Sequence, residues 1–245
     1  MFTTQAIGAV AVFSFDRPEK KNALTPGMIR SLISALSTAA AARAIVVTGA
    51  GDTFCAGFDL SACRDDPTSA VLAELLTLLA RAAAAIRASH CPVVISAHGA
   101  ALAGGCALAA AGDFVITNAQ ARIGYPVVRL GISPAVSAPA LVTTIGAGAA
   151  RARLLDSGLV TGARALELGL AYECTDTAGA CQERALTLAA ELAAKPPHAM
   201  GYTKHWLNQL DGSLEEAGYN AALAASLARV GTGEERELLK AIWRT

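Results

Sequence analysis

From Cys91 to Gly112 the chain runs 22 residues without an aspartate, glutamate, lysine or arginine, so the segment belongs either in lipid or in a protein core. Its internal punctuation decides between the two. Pro92, His98 and the glycines at 99, 104 and 105 would interrupt a membrane helix. A buried strand over Val93 to Ala97, a glycine turn and a buried helix give each of these residues a place. The segment predicts the centre of a globular core.

The flanking sequence supplies the partners of that core. Ala6 to Phe15 reads as a strand, Thr25 to Ala42 as a helix, Ala44 to Thr48 as a buried strand and Ser69 to Ala88 as a helix, an α/β alternation. Thr25-Pro26 is a helix start, with threonine as N-cap and proline at the first helical position, and Met28, Leu32, Ala35 and Leu36 then share one face. Phe114 to Thr117 predicts a further strand and Ser137 to Ile145 a further helix. After Ala178 only helices are expected: Ala178 to Ala194, His198 to Asn208, Leu214 to Val230 and Glu234 to Trp243. The expected organisation is an α/β core over residues 1–190 with a helical element over 191–245.

A chain of 245 residues can bury one sizeable core. Charged residues make up 16% of it, against about 25% in a typical soluble protein, which predicts surface covered by other subunits. Lys plus Arg and Asp plus Glu both total 20, and no long basic run offers a footprint to nucleic acid. The six cysteines, at 55, 63, 91, 106, 174 and 181, make no CxxC pair and no zinc spacing, so no metal is expected and buried reduced thiols of a cytoplasmic protein are. The N-terminus lacks a basic start and a cleavage site, and runs straight into Asp16-Arg17-Pro18.

Read in order, Arg17-Pro18-Glu19-Lys20-Lys21-Asn22-Ala23-Leu24, then Ala44-Ile45-Val46-Val47-Thr48-Gly49, then Phe54-Cys55-Ala56-Gly57-Phe58-Asp59-Leu60, resemble the crotonase family of enoyl-CoA hydratases and isomerases. Pro92-Val93-Val94 leading into the glycine turn, Asp113, and Ile145-Gly146 through Gly169-Leu170 extend the resemblance over nearly the whole chain. It implies a crotonase-like spiral of β-β-α units with a C-terminal helical trimerisation element, assembled as a homotrimer or a dimer of trimers. It also implies an acyl-CoA thioester as substrate or ligand, with no other cofactor.

By position in those motifs, the backbone N–H groups of Phe58 and Gly104 match the family's oxyanion hole. A thioester carbonyl gains negative charge when its α-carbon becomes an enolate, and two preorganised donors stabilise that charge. Glycine lets the backbone approach, and a helix beginning near Gly105 adds positive potential. The resemblance further implies contacts to coenzyme A from Lys20, Lys21, Ala56, Asp59 and Leu60, and places Lys240 or Arg244 near a CoA phosphate across a subunit boundary.

The departures from the family pattern are as informative. Hydratases of this family use two glutamates, and the matching positions here are Ala107 and Val127. Neither residue moves a proton, and each general acid or base typically contributes about 10²–10⁴-fold, so ordinary enoyl hydration is not expected. Family isomerases use the second glutamate, which Val127 removes. The dehalogenase branch needs a histidine where Ala80 stands and an aspartate where Ile132-Ser133-Pro134 offers none.

A β-carboxyacyl-CoA decarboxylase remains chemically open, because loss of carbon dioxide forms the enolate without a base. It still needs a proton donor, for which Tyr125, Ser133, Ser137, Asp65, Asp66 and Glu74 are the polar candidates. His98, on a buried strand before Gly99, is expected to be structural. A non-catalytic acyl-CoA-binding protein is the alternative from another class. Gly146-Ala147-Gly148 is not a dinucleotide fingerprint, since Arg151 occupies the third glycine position and no suitable strand precedes it. No Gly-x-Ser-x-Gly elbow is present.

Overall fold

The computed structural model describes every residue except Asp65, Leu214 and Trp243 to Thr245. It opens with a β-hairpin, β1 (Phe2–Ile7) and β2 (Val10–Phe15), paired antiparallel from Phe2↔Phe15 to Ile7↔Val10. The apolar run from Ala6 to Phe15 predicts a single strand, and here the structure differs. Gly8 and Ala9 turn the chain without interrupting its hydropathy, so the turn leaves no polar mark in the sequence.

The next elements are α1 (Pro26–Thr38), β3 (Ala44–Gly49), α2 (Ala70–Ala88) and β4 (Val93–Ala97). Thr25 caps α1, its side chain accepting from the Met28 N–H, and Met28, Leu32, Ala35 and Leu36 are all buried. Then come β5 (Ala100–Leu102), α3 (Gly104–Ala111), β6 (Phe114–Asn118) and β7 (Arg122–Gly124). They are followed by α4 (Ala138–Ile145), α5 (Ala147–Leu155), β8 (Val160–Thr161), α6 (Gly162–Glu167) and β9 (Glu173–Thr175).

The main sheet has the order β1-β2-β3-β4-β6-β9, parallel apart from β1 against β2, and a small second sheet has the order β5-β7-β8. Strand alternation splits the core in two. Ile45, Val47, Val93, Ile95 and Val115 face one cluster with α1, α2 and α3, whereas Ala44, Val46, Val94 and Ile116 face another with Cys181, Ala185, Leu188 and Leu192. The latter four belong to α7 (Ala178–Ala193), so both faces of the parallel sheet are covered. The tail continues as α8 (Pro197–Leu210), α9 (Glu216–Leu227) and α10 (Gly233–Ile242).

The segment free of charged residues becomes β4, the glycine turn with β5, and α3, every residue of which is buried. Among the described residues no helix is long and apolar enough to cross a membrane. All six cysteines are free; five are buried, and Cys174 is partly exposed, which narrows the expectation of uniformly buried thiols.

Candidate active site

Asn22 organises the approach to the site. Its side-chain oxygen accepts from the Arg17 N–H at 2.8 Å, and its amide nitrogen donates to the Ala50 and Thr53 carbonyls at 2.9 and 2.6 Å. The 17–24 segment is thereby fixed to the loop after β3. Arg17 then reaches Asp59 at 2.9 Å, while Asp59 accepts from both the N–H and the hydroxyl of Ser61. Burial alone would raise the Asp59 carboxyl, but the hydrogen bonds from Ser61 and Arg17 outweigh it and hold the group below its ordinary range. Asp59 therefore clamps the loop in place. Lys20 and Lys21 stand exposed beside it, and the Lys21 carbonyl accepts from Ala56 N–H at 3.0 Å.

Two bridges set the direction of the loop's amides. Leu24 N–H donates to Gly57 O at 2.7 Å and Asp59 N–H to Leu24 O at 2.9 Å, a parallel bridge centred on Leu24. In that pattern Gly57 O and Asp59 N face Leu24, so the intervening Phe58 N–H points to the opposite side. On the far edge, Cys55 N–H donates to Ala100 O and Leu102 N–H to Cys55 O, both at 3.0 Å, joining the same loop to β5.

The glycine turn meets this loop at van der Waals distance. A Cβ on Gly105 would stand 2.7 Å from the Cys55 carbonyl oxygen, and one on Gly104 would stand 3.1 Å from Phe58 Cε1. Only glycine allows the Cys55 backbone and the start of α3 to come so close. Ala103, at φ 51 and ψ −114, takes a strained turn into α3, its N–H donating to Gly124 O at 2.8 Å; such strain costs on the order of 1–3 kcal/mol and concentrates at functional sites. The first i→i−4 bond of α3 runs from Ala107 N–H to Ala103 O. The N–H groups of Gly104, Gly105 and Cys106 precede it and belong to the positive end of the helix.

Ala107 lies one turn into α3 and is 2% exposed, while Val127 sits part-buried on a 3-10 turn over Pro126–Leu130. Leu60 opens another 3-10 turn, Leu60–Cys63, for which Asp59 is the cap.

Most of the other polar candidates have structural work. His98 is wholly buried; its Nδ1 lies 3.0 Å from Ser96 O, and its Nε2 lies 3.2 Å from Gly51 O and 3.3 Å from Gln182 Nε2. Burial lowers its pKa, which favours the neutral imidazole in this hydrogen-bonded position. Glu74 pairs with Arg30 at the surface. Asp66 accepts from the Thr68 hydroxyl and N–H and from Val71 N–H, closing the turn before α2. Ser133 caps a turn through Ala135 N–H. Ser137 and Tyr125 are buried, and burial first, then Cys106, pushes the Tyr125 phenol well above 10. Asp65 and Arg244 lie outside the described residues.

Sequence reasoning missed Glu235. It is 1% exposed and, among the described residues, is the only buried carboxylate. It occupies the third position of α10 behind Thr232, whose hydroxyl lies 3.4 Å from Glu235 N–H, and its Oε2 accepts from Gly231 N–H at 3.0 Å. The Thr-x-x-Glu pattern signals a capping box, and nothing in it shows that the carboxylate faces inward. Glu235 lines a cavity of about 440 Å³ with Cys63, Arg64, Asp66, Pro67, Ser69, Arg236, Leu239 and Lys240.

A parallel sheet covered on both faces by helices, with one strained turn bringing the first N–H groups of α3 beside a clamped loop, is the class of architecture the chain forms. The particular lineage follows from comparison. The family model for enoyl-CoA hydratase/isomerase matches residues 5–226, and the chain belongs to that family. It is 35% identical to the "Probable enoyl-CoA hydratase echA6" of Mycobacterium bovis, covering 85% of this chain and 82% of that one. It is 30% identical to the 2,3-dehydroadipyl-CoA hydratase of Escherichia coli, again covering 85% and 82%. Among solved structures, an enoyl-CoA hydratase/isomerase from Xanthobacter autotrophicus Py2 superposes with TM-score 0.87 at 27% identity, covering 99% of this chain and 93% of that one. One from Mycobacterium paratuberculosis superposes with TM-score 0.86 at 26% identity, covering 98% and 97%. The fold is the crotonase fold.

Proposed function

We propose that this protein binds an acyl-CoA thioester and stabilises negative charge on its carbonyl oxygen through the N–H groups of Phe58 and Gly104. The observation that carries this reading is their relationship. The Leu24 bridge turns Phe58 N–H away from its neighbouring strand, and Gly104 N–H belongs to the unpaired first turn of α3 against the Phe58 ring. Lys20 and Lys21, exposed beside the loop, supply charge for the CoA phosphates, and Ala56, Asp59 and Leu60 frame the entry. Lys240, on α10, is a further phosphate partner.

Ala107 and Val127 direct the chemistry away from enoyl hydration, which needs one group to activate water and another to deliver the α-proton. The reaction best matched to the hole is one in which the enolate arises without those acids, such as decarboxylation of a β-carboxyacyl-CoA. There the carbon–carboxylate bond breaks, carbon dioxide leaves, its electron pair enters the enolate, and a proton is then added at the α-carbon. The same substitutions support a second reading, a non-catalytic acyl-CoA carrier using the same pocket.

The setting proposed is a cytoplasmic homotrimer or dimer of trimers, without nucleic acid or membrane partners. Its helical element over 191–245 serves assembly, supported by the exposed Tyr202, Trp206, Leu207 and Leu210 of α8.

Titration calorimetry with acyl-CoA ligands, paired with a turnover panel of crotonyl-, malonyl- and methylmalonyl-CoA at high protein concentration, tests the proposal. Micromolar binding with release of carbon dioxide supports the decarboxylase, and binding without any turnover supports the carrier. Crotonyl-CoA hydration at rates ordinary for the family, or no acyl-CoA binding at all, refutes the reading.

A further inference from the structure

A backbone carbonyl can only accept a hydrogen bond, so the carbonyls around a buried imidazole assign its protons. His98 Nδ1 lies 3.0 Å from Ser96 O and therefore donates to it. Nε2 stands between two groups of opposite demand: Gly51 O, an acceptor, at 3.2 Å and the Gln182 amide nitrogen, a donor, at 3.3 Å. The Gln182 amide is oriented by its other bond, in which Nε2 donates to Gly49 O at 3.1 Å. Neutral His98 thus matches Gln182, protonated His98 matches Gly51 O, and neither state satisfies both.

Both proposed donors hang from the residue that carries this ring. His98 O accepts from Phe54 N–H at 2.9 Å, at the start of the loop that presents Phe58, and Ala100 O takes the next amide, Cys55 N–H, at 3.0 Å. Gly99 fits only as glycine, since its Cβ would fall 1.8 Å from Asp52 O. The chain then passes through β5 into the strained turn at Ala103 and the first amides of α3. Gln182, on α7, ties the opposite layer of the fold to this junction through Gly49 O and the His98 ring.

The charges around the ring are few. Asp52, on the loop, favours the imidazolium, whereas burial favours the neutral ring and outweighs it. On α7, Cys181 reaches the ring by way of Ser96 Oγ, and burial pushes its thiol up to about 11. Glu183 is exposed, and Arg184 is paired with Glu173 and Glu191. β3, β4 and β6 contain no titratable side chain.

We propose that Gln182 is a positioning residue for the oxyanion hole: through neutral, Nδ1-protonated His98 it locks α7 to the 49–53 segment from which the Phe58 loop springs, and protonation of His98 releases that lock. The consequence for ligand binding rests on the acyl-CoA reading above. Acid transfers the Nε2 bond from Gln182 to Gly51 O, sets two N–H groups against each other, and loosens the loop.

The ring is read by nitrogen NMR of the full-length protein with labelled histidine, after His90, His198 and His205, all exposed, are each replaced by glutamine to assign the signals. Wild type shows the Nδ1–H tautomer near neutral pH and protonates on acidification. Over the same range, amide exchange in residues 50–58, corrected for its intrinsic pH dependence, rises about tenfold, the equivalent of one hydrogen bond, and acetyl-CoA binds at least threefold more weakly by calorimetry. Gln182→Met, which lacks the donor, has the loosened loop and the weaker binding already at neutral pH, with no further change on acidification. Gln182→Glu, which places a carboxylate at Nε2, moves the His98 titration up by about one pH unit or more. An Nε2–H tautomer in wild type, a ring that stays neutral down to about pH 4.5, or loop exchange in Gln182→Met equal to wild type overturns the proposal. So does an increase in Gln182→Met spread over the whole chain, which marks general destabilisation. If acetyl-CoA binds at no pH, the acyl-CoA reading fails, and the tautomer and exchange results decide the lock by themselves.

Discussion

The Phe58 ring lies over the Cα of Gly104, where a Cβ would stand 3.1 Å from Cε1 and 3.4 Å from Cδ1 of the ring. The side chain of one proposed donor residue therefore packs on the other, and positions 104 and 105 differ in tolerance. An alanine at 104 meets a side-chain ring that can shift, whereas an alanine at 105 meets the Cys55 carbonyl oxygen at 2.7 Å. Gly104→Ala keeps its backbone N–H and is expected to fold normally, but its Cβ pushes the Phe58 ring aside and misaligns the paired donors, which should weaken acyl-CoA binding by at most about tenfold, roughly the 1.4 kcal/mol of one hydrogen bond. Gly105→Ala is expected to destabilise the fold by about 1–3 kcal/mol. Calorimetry and urea unfolding distinguish the two.

Gly131 gives a second test of packing. Its positive φ and the 2.8 Å approach to Glu235 Cα leave no room for a side chain against backbone. Gly131→Ala should move α10 outward and increase hydrogen exchange in residues 233–242, with a stability loss of about 1–3 kcal/mol. Unchanged exchange there would show that α10 does not depend on this contact.

Much of this architecture is legible in the sequence because local rules and tertiary packing agree. The Thr25-Pro26 start, the alternation of Ile45 and Val47 against Ala44 and Val46, and the proline–glycine punctuation around β4 each point to the element that forms. The order of the motifs carries the family. The Gly8-Ala9 turn is hidden within continuous hydropathy, and the two-residue β8 has too little length to show a period. What local pattern cannot carry is pairing at long range. Nothing near Asp59 marks Arg17 as its partner, and nothing near Gly131 marks Glu235, more than a hundred positions later, as the residue packed against it, because folding alone brings these residues together.

Lys204 shows how strongly one such distant pairing holds the tail. It is 7% exposed and donates to Asp113 at 2.7 Å, to Cys91 O at 3.1 Å and to Ile86 O at 3.2 Å, pinning α8 to the end of α2 and the start of β4. Asp113 also accepts from Val93 N–H at 2.7 Å, so it remains fixed if the lysine is removed. Lys204→Met should cost about 3–5 kcal/mol by leaving the carboxylate without its cation. Urea unfolding followed by circular dichroism measures this, and a loss below about 1 kcal/mol would refute it.

The buried thiols predict alkaline instability. Burial raises Cys55 and Cys106 from 9.0 to about 12. The unfolded chain thus loses these protons near pH 9, whereas the folded chain keeps them. The stabilisation is complete below pH 9 and is lost as pH rises toward 12, at about 1.4 kcal/mol per pH unit for each thiol. Lys204, lowered by burial, acts in the opposite sense below its ordinary 10.5, but Cys63 and Cys181, each raised to about 11 by burial, add to the two thiols against it. Unfolding free energy should therefore fall above pH 9, and Cys55→Ala should make the decline shallower. A pH-independent stability from 9 to 11 would contradict this assignment.

Restoring the missing acids tests whether the pocket still has the geometry for hydration. Val127 is part-exposed on its turn, so a glutamate there has access to solvent; Ala107 is 2% exposed within a helix of buried small residues. A carboxylate at 107 is tolerated only if it turns toward the substrate cavity, because burial among alanines without a partner carries a desolvation cost of several kcal/mol. Val127→Glu alone should leave the melting temperature nearly unchanged and hydration negligible, and Ala107→Glu alone should lower the melting temperature. The double variant should hydrate crotonyl-CoA measurably above wild type, by at least the roughly 10²-fold that one proton-transfer group supplies, read as loss of enoyl thioester absorbance. If the double variant folds and binds acyl-CoA yet shows no such gain, the space around the hole has been remodelled beyond the two substitutions.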